Sequence, residues 1–145
     1  MSISKAQKRA SFAFYQINPL NDVKDADGIK TDAAKFISLI LNSGLLQAMD
    51  FAKDRLKKAY QCLNNWLAVE DKETGPGLPL NITQAAQQGS INEELAKLGK
   101  EEYRLVMQET LAFLEWLKSK ANGKKEQLSC KSPKTEDTEQ EKQPE

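Results

Sequence analysis

Residues 100–122, KEEYRLVMQETLAFLEWLKSKAN, are the stretch that decides the fold of this chain. Its apolar side chains recur at steps of four and three, which places them on one side of an α-helix. The stripe consists of Tyr103, Met107, Thr110, Leu114, Leu117 and Ala121, and it is widened by Val106, Leu111, Phe113 and Trp116. Glutamates open the stretch and lysines close it, in the order that the helix dipole favours. The pattern predicts one long helix that packs against several neighbours.

Five shorter helical patterns precede this stretch. They cover residues 4–17, 31–41, 45–67, 81–88 and 90–99. The first ends at Asn18, because the residue before a proline is pushed out of the α region. Thr31 or Asp32 is the expected N-cap of the second, and Ser90 and Glu93 have the spacing of a capping box for the last. The third is predicted to run unbroken.

Two segments between these patterns are predicted to be surface loops. Residues 21–30 are rich in aspartate and have no periodic apolar pattern. Residues 69–79 contain Gly75-Pro76-Gly77, a sequence that helices and strands exclude from their interiors. No segment alternates as a strand does. We therefore predict an all-α fold, a compact bundle of about six helices.

The charge is distributed unevenly along a chain with a formal net charge of zero. Residues 1–125 carry 18 Lys and Arg against 15 Asp and Glu, whereas residues 126–145 carry 3 against 6. From Lys124 onward the composition is too polar to offset the entropy lost on ordering. We predict a helical bundle domain over residues 1–123 and a disordered acidic tail over residues 124–145.

The sequence also bears on compartment and cysteine chemistry. No apolar run approaches the ~20 residues of a membrane span, and the first residues lack the pattern of a secretory signal. We expect a cytoplasmic protein without membrane contact. Cys62 and Cys130 lie far apart, one in a helical pattern and one in the polar tail, so a disulfide or a metal pair is not expected.

Few residues are suited to catalysis. Histidine, the commonest general base and transition-metal ligand, is absent. Gly75-Pro76-Gly77 has no following Lys-Ser or Lys-Thr, so it is not a phosphate loop. The carboxylate pairs 25/27, 93/94 and 101/102 occur where solvated surfaces or helix starts carry acid anyway. We predict no catalytic residue, no metal site and no cofactor.

Three basic clusters are candidates for binding. They are Lys5, Lys8 and Arg9; Lys53, Arg55, Lys57 and Lys58; and Arg104, Lys118 and Lys120. Each cluster alone is typical of an ordinary solvated helix face. If the clusters converge in the fold, they suit the phosphates of a nucleic acid, with an affinity that falls with salt and little sequence preference.

Three stretches resemble one known family. They are residues 7–13 (QKRASFA), residues 42–51 (NSGLLQAMDF), and residues 102–104 (EYR) followed by 109–118 (ETLAFLEWLK). In this order they resemble the small-subunit family of the type III-B CRISPR effector, the Cmr complex. The turn at residues 42–45 and the helix at residues 109–118 are the specific parts of the resemblance.

The resemblance implies a role in antiviral defence without catalysis. Members of that family are small helical bundles that stack in several copies along the path of the guide RNA and its target, while other subunits cleave. The implied partners are other Cmr effector subunits, copies of the chain in a filament, and the backbones of guide and target RNA. The implied RNA-binding residues are Lys8, Arg9, Arg104 and Lys118 inside the matching stretches and Lys53, Lys57 and Lys58 just outside them.

Two other classes of function stay open at this stage. A helical adaptor or regulator that binds only protein is favoured if the basic clusters do not converge. An enzyme requires a pocket of carboxylates with perturbed pKa values, for which the sequence gives no indication.

Overall fold

The fold consists of helices throughout the part of the chain that the structure, a computed structural model, describes, which is residues 3–130. The helices are α1 (Lys5–Ile17), α2 (Val23–Ser43), α3 (Leu45–Arg55), α4 (Lys57–Leu67), α5 (Leu80–Gln88), α6 (Ile91–Leu95) and α7 (Lys100–Cys130). No strand occurs among these residues, so the predicted all-α class is confirmed. None of the helices over this range has both the length and the apolarity that crossing a membrane requires.

The long helix α7 is the element around which the others pack. Its buried side chains, Val106, Glu109, Thr110, Phe113, Leu114, Leu117 and Ala121, include most of the predicted stripe. Trp66 of α4 stacks on Phe113 with 5.4 Å between ring centroids, and Phe12 of α1 packs against both rings. The core therefore lies where α1, α4 and α7 meet and continues along α2.

Helix α2 runs antiparallel to α7. Near its start, Asp27 pairs with Lys125 at 2.9 Å, and this ammonium lowers the pKa of the Asp27 carboxyl. Just beyond its end, the backbone N–H of Leu46 donates to the hydroxyl of Tyr103 at 2.9 Å. These two contacts hold the two ends of the helix pair in register.

Helix α1 is bounded as the sequence predicts. Ser4 is its N-cap and forms a capping box with Gln7, which satisfies two backbone N–H groups that the first turn leaves free. The helix ends at Ile17, immediately before Asn18-Pro19. It packs on α7 and α4 through buried Ala13 and Ile17.

The prediction of a loop over residues 21–30 is wrong. Asp22 accepts a hydrogen bond from the N–H of Lys24 and is the N-cap of α2, so neither Thr31 nor Asp32 has that role. The buried face continues backwards from Ala33 through Ile29 to Ala26. Alanine and a single isoleucine were enough to fill this narrow part of the core, and the surrounding aspartates face outward.

The predicted third helix is in fact two helices. At Leu56 the backbone leaves the helical region, with φ −127° and ψ 53°, and the side chain is buried. After the break, α4 packs against α1, α2, α5 and α7, whereas α3 packs against α2 and α6. Neither glycine nor proline marks the break, so tertiary packing supplies its physical reason.

Residues 69–79 contain no helix, as predicted, but they are not fully exposed. Gly75, Pro76 and Leu78 are buried. A Cβ at Gly75 would come within 2.6 Å of the Val69 side chain and 2.8 Å of the Asp71 carbonyl oxygen. Glycine is therefore required here by close approach, and the loop closes on itself rather than projecting into solvent.

The second half of the chain departs from prediction at two helix ends. The capping box expected at Ser90 is not formed, because its hydroxyl donates to the Ala85 carbonyl at 3.4 Å and α6 ends at Leu95 rather than near Gly99. Helix α7 continues to Cys130, through the first seven residues of the segment 124–145 that was predicted to be disordered. The rest of that segment, residues 131–145, lies outside the described residues.

Candidate nucleic-acid interface

Arg9, one of the predicted RNA contacts, is bound to a buried carboxylate. Its Nε donates to Glu109 Oε2 at 2.7 Å and its terminal nitrogen to Oε1 at 2.9 Å. Glu109 is 3% exposed and also accepts from Trp66 Nε1 at 2.9 Å, with the Lys5 ammonium at 4.0 Å. The hydrogen bonds to Glu109 raise the pKa of the Arg9 guanidinium against the effect of burial. The Glu109 carboxylate of α7 is therefore linked to α1 through Arg9 and to α4 through Trp66.

Three of the other predicted contacts each have one partner at the surface. The Lys8 ammonium donates to the Lys72 carbonyl at 3.2 Å. Lys58 pairs with Asp25 at 3.3 Å, and Lys118 pairs with Glu115 at 3.5 Å within α7. Exposed ion pairs of this kind contribute only ~0–1 kcal/mol, so a phosphate can compete for these ammonium groups.

The remaining three predicted contacts are exposed cations. Lys53, Lys57 and Arg104 make no ion pair and no hydrogen bond through their side chains with any residue in the range 3–130. The seven predicted residues therefore fall into three groups: one bound to a buried carboxylate, three with one partner at the surface, and three without a partner among residues 3–130.

Lys53 at the end of α3 and Lys57 at the start of α4 line one cleft. This open cleft of about 340 Å³, which we call the lysine cleft, consists of Lys53, Lys57, Tyr60, Gln61, Asn64 and Gly89. The members on α4 are spaced three or four residues apart and so form one stripe of that helix. Gly89 comes from the turn between α5 and α6.

Tyr60 closes the inner side of the lysine cleft. Its hydroxyl donates to Asn92 Oδ1 at 2.9 Å, and Asn92 Nδ2 donates to Asp50 at 3.0 Å. Burial, followed by the nearby carboxylates Glu93 and Asp50, raises the pKa of Tyr60 to about 12. The phenol therefore stays neutral and fixed in position near neutral pH.

The described residues provide no arrangement for catalysis by cysteine or by a metal cluster. Cys62 is buried in the core, and burial raises the pKa of its thiol to about 11, so it is protonated at neutral pH. Within residues 3–130 no three residues among His, Cys, Asp and Glu lie close enough to hold a metal ion. The reading of Cys62 as a core residue is confirmed.

Two functional features escaped the sequence analysis. Glu109 was not singled out, although it is a carboxylate inside the apolar stripe of α7, next to buried Thr110 and three residues after buried Val106. A carboxylate at an apolar position of a helix indicates a buried ion pair, so the sequence did contain a signal for this contact. The lysine cleft gave no such signal, because Gly89 is distant in sequence from the lysines.

Large apolar side chains are exposed on several helices. On α1, Phe14 is 53% and Tyr15 71% exposed. Leu41 of α2 is 70% and Phe51 of α3 45% exposed, and Ile3, Leu80 and Leu105 are exposed as well. By contrast, Tyr103 and Trp116, considered above as core residues of α7, are partly buried against the core. Exposed apolar side chains in groups mark surfaces that other proteins cover.

Comparison with known proteins gives one match. The family model for the CRISPR-associated protein Cas_Cmr5 matches residues 5–124, from the start of α1 into the last turns of α7. No curated protein and no solved structure matched the chain. The matched range includes all seven predicted contacts and the whole lysine cleft. This chain belongs to the Cas_Cmr5 family, the small subunit of the Cmr complex of type III-B CRISPR systems.

Proposed function

We propose that this chain stacks with copies of itself and with neighbouring Cmr subunits, contacts the backbones of guide and target RNA, and carries out no catalytic step. Membership of the Cas_Cmr5 family supports association with other Cmr subunits. The observation that carries the RNA contact is the pair Lys53 and Lys57, two exposed cations in one cleft without ion-pair partners among residues 3–130.

Charge complementarity is the mechanism of this contact. Lysines that neutralise phosphates release condensed counterions, so binding weakens as salt rises and depends little on sequence. One copy contacts few phosphates and binds weakly. Several copies held in one assembly act together, and the effective concentration within the assembly raises the overall affinity. In antiviral defence such a subunit secures the duplex while other subunits act on it.

The seven candidate residues rank by what their charge already contacts. Lys53, Lys57 and Arg104 come first, because they meet a phosphate without losing a partner. Lys8, Lys58 and Lys118 follow, since each gives up one weak surface contact. Arg9 comes last, because an Arg9 that bound phosphate would leave the buried Glu109 carboxylate without its ion-pair partner.

Stacking of copies is supported by exposed apolar side chains on different helices. Phe14 and Tyr15 lie on α1, Leu41 on α2 and Phe51 on α3. Different apolar surfaces on one chain suit a head-to-tail contact, in which one surface of each copy meets another surface of the next. A contact of this type continues into a filament unless its rotation closes a ring.

The test replaces the three unpaired cations together. The variant Lys53→Gln/Lys57→Gln/Arg104→Gln is co-expressed with the other effector subunits, and the purified assembly is compared with wild type. Native mass measurement gives the number of copies, and target-RNA titrations at several salt concentrations give the affinity. We expect the same copy number, a lower RNA affinity and a flatter dependence on salt.

A matched control removes the same number of charges elsewhere. The exposed lysines Lys24, Lys35 and Lys97 lie outside the predicted site and are replaced by glutamine in the control. Its RNA affinity should stay close to that of wild type. RNA binding that is equal in both variants and in wild type at every salt concentration contradicts the backbone contact.

The second candidate is an adaptor that binds only protein. The exposed fractions of Tyr15 and Leu41, each about 70%, favour it independently of charge. In that case the assembly takes up the chain as usual, and neither triple variant alters RNA capture. Replacing Tyr15 and Leu41 by serine lowers the copy number under both candidates, so RNA capture by the triple variants decides between them.

A further inference from the structure

The lining of the lysine cleft is not uniform in charge. Lys53 and Lys57 line it from either side of the helix break, and both are exposed. Gly89 also lines it, in the left-handed conformation that closes α5, with its N–H already donated back to Ala85 and Ala86. The C-terminus of a helix carries partial negative charge, so the surroundings of Gly89 repel anions and favour hydroxyl donors.

Two amide side chains also line the lysine cleft. Gln61 donates from its amide nitrogen to Asn65 Oδ1 at 3.0 Å, and Asn64 donates from its own to the Ala86 carbonyl at 3.0 Å. In both cases one N–H of the amide is used. Among residues 3–130 the side-chain oxygens of Gln61 and Asn64 accept no hydrogen bond, but that of Asn64 is buried away from a ligand. The exposed Gln61 amide therefore keeps acceptor capacity towards a ligand hydroxyl.

Carboxylates restrict where an anion can bind. Asp50 and Glu93 lie close enough to Tyr60 to raise its pKa, and Asn92 links Tyr60 to Asp50. A phosphate near Tyr60 would meet this negative potential directly, whereas at Lys53 and Lys57 two ammonium groups oppose it. The neutral ring of Tyr60 suits the uncharged part of a ligand.

We propose that the lysine cleft holds one ribose-phosphate unit of RNA, with the phosphate at Lys53 and Lys57 and the 2′-hydroxyl at the amide of Gln61. The inference rests on the proposed RNA contact and adds discrimination between RNA and DNA. A surface of lysines alone cannot distinguish the two, because both carry the same phosphates. The 2′-hydroxyl is the group that differs, and it is both donor and acceptor.

The size of the cleft agrees with this ligand class. At about 340 Å³ it lies at the low end of the ~300–1,000 Å³ typical of small-molecule pockets. It is open on one side, as a site for one unit of a continuous strand must be. A Cβ built at Gly89 would meet no atom within 4 Å, so the space beside this residue is open.

The experiment compares two strands that differ only in the sugar hydroxyl. Fluorescently labelled oligouridylate and oligodeoxyuridylate of equal length are titrated with the full chain at low salt, and binding is read by anisotropy. We expect RNA to bind roughly threefold to tenfold more tightly, the factor that one neutral hydrogen bond supplies. In Gln61→Leu the RNA affinity should fall to the DNA value while the DNA affinity is unchanged.

Lysine variants test the phosphate end separately. Lys53→Gln and Lys57→Gln should weaken both strands equally and lower the magnitude of the salt slope by about 0.7 per lysine, as expected for single strands. Gln108→Leu, which replaces an exposed glutamine of α7 outside the cleft, is the matched control and should keep the RNA preference. Circular dichroism of each variant verifies that the helices are intact.

The outcomes separate this inference from the proposed function. Equal affinity of the wild-type chain for both strands overturns the proposed recognition of the ribose hydroxyl. The proposed contact with the RNA backbone then stands if the lysine variants still weaken binding. An RNA preference that survives Gln61→Leu also overturns it. If neither strand binds at low salt, the proposed RNA contact fails together with this inference.

Discussion

Arg9 on α1 and Lys57 on α4 both belong to basic clusters of the sequence, but their environments are opposite. Arg9 makes two hydrogen bonds to Glu109, a carboxylate that is 3% exposed. Lys57 is exposed and has no side-chain partner among residues 3–130. The difference teaches that a buried partner turns a positive charge into part of the core, whereas an unpaired one stays available to an external anion.

The largest effect is expected when Arg9 is replaced by methionine. Glu109 then keeps Trp66 Nε1 and the exposed Lys5 ammonium at 4.0 Å but loses its bidentate partner. Breaking a buried ion pair costs about 3–5 kcal/mol of unfolding free energy, and Lys5 offsets part of this cost. Urea denaturation followed by circular dichroism measures the loss. The double variant Arg9→Met/Glu109→Gln should recover much of it, because both charges are removed and the glutamine oxygen can still accept from Trp66 Nε1. A stability of Arg9→Met equal to wild type would place Arg9 with the surface lysines instead.

A smaller effect concerns pH at the inner side of the lysine cleft. The pKa of Tyr60 is about 12 in the folded chain against the ordinary 10.0, so the folded state keeps this proton where the unfolded state releases it. The stability that Tyr60 contributes is complete below pH 10 and is lost as pH rises towards 12.

Unfolding free energies measured below pH 10 and between pH 10 and 12 test this linkage. The wild-type chain should lose more stability over the upper range than Tyr60→Phe, which has no phenol to ionise at that position. Phenolate absorbance followed through the same range provides an independent reading. Parallel pH profiles for the two proteins would mean that the phenol is not held neutral by its surroundings.

The smallest effect is expected at the unpaired lysines themselves. Lys53→Gln/Lys57→Gln removes two charges that form no ion pair or hydrogen bond with another described residue, so the unfolding free energy should change by less than about 0.5 kcal/mol. The same urea titration that is used for Arg9→Met measures it. A loss comparable to that of Arg9→Met would erase the distinction between the two regions.

The sequence predicted helices well where their apolar faces were rich in large side chains. The stripe of α7 was correct at Leu114 and Leu117, which are fully buried. The apolar pattern gave the wrong prediction at the start of α2, where Ala26 is buried and the neighbouring aspartates resembled a loop. Alanine carries a weak apolar signal, so a helix that fills a narrow space with alanine is hard to recognise from periodicity.

The candidate site was predicted only in part. Lys53 and Lys57 were chosen from a charge cluster that also contained Lys58, and nothing local in the sequence separates the three. Their separation depends on Asp25 of α2, which pairs with Lys58 across the bundle. Partners that are distant in sequence decide which cations remain unpaired.

The sequence by itself determined the all-α class, the long helix α7 and the family, because periodicity, end charges and motifs are local properties of the chain. Only the tertiary structure decided the break at Leu56, the capture of Arg9 by Glu109 and the meeting of the α4 stripe with the turn at Gly89. Each of these depends on contacts between residues far apart in the chain. Packing and burial, which no local pattern contains, therefore set which charges stabilise the bundle and which remain exposed.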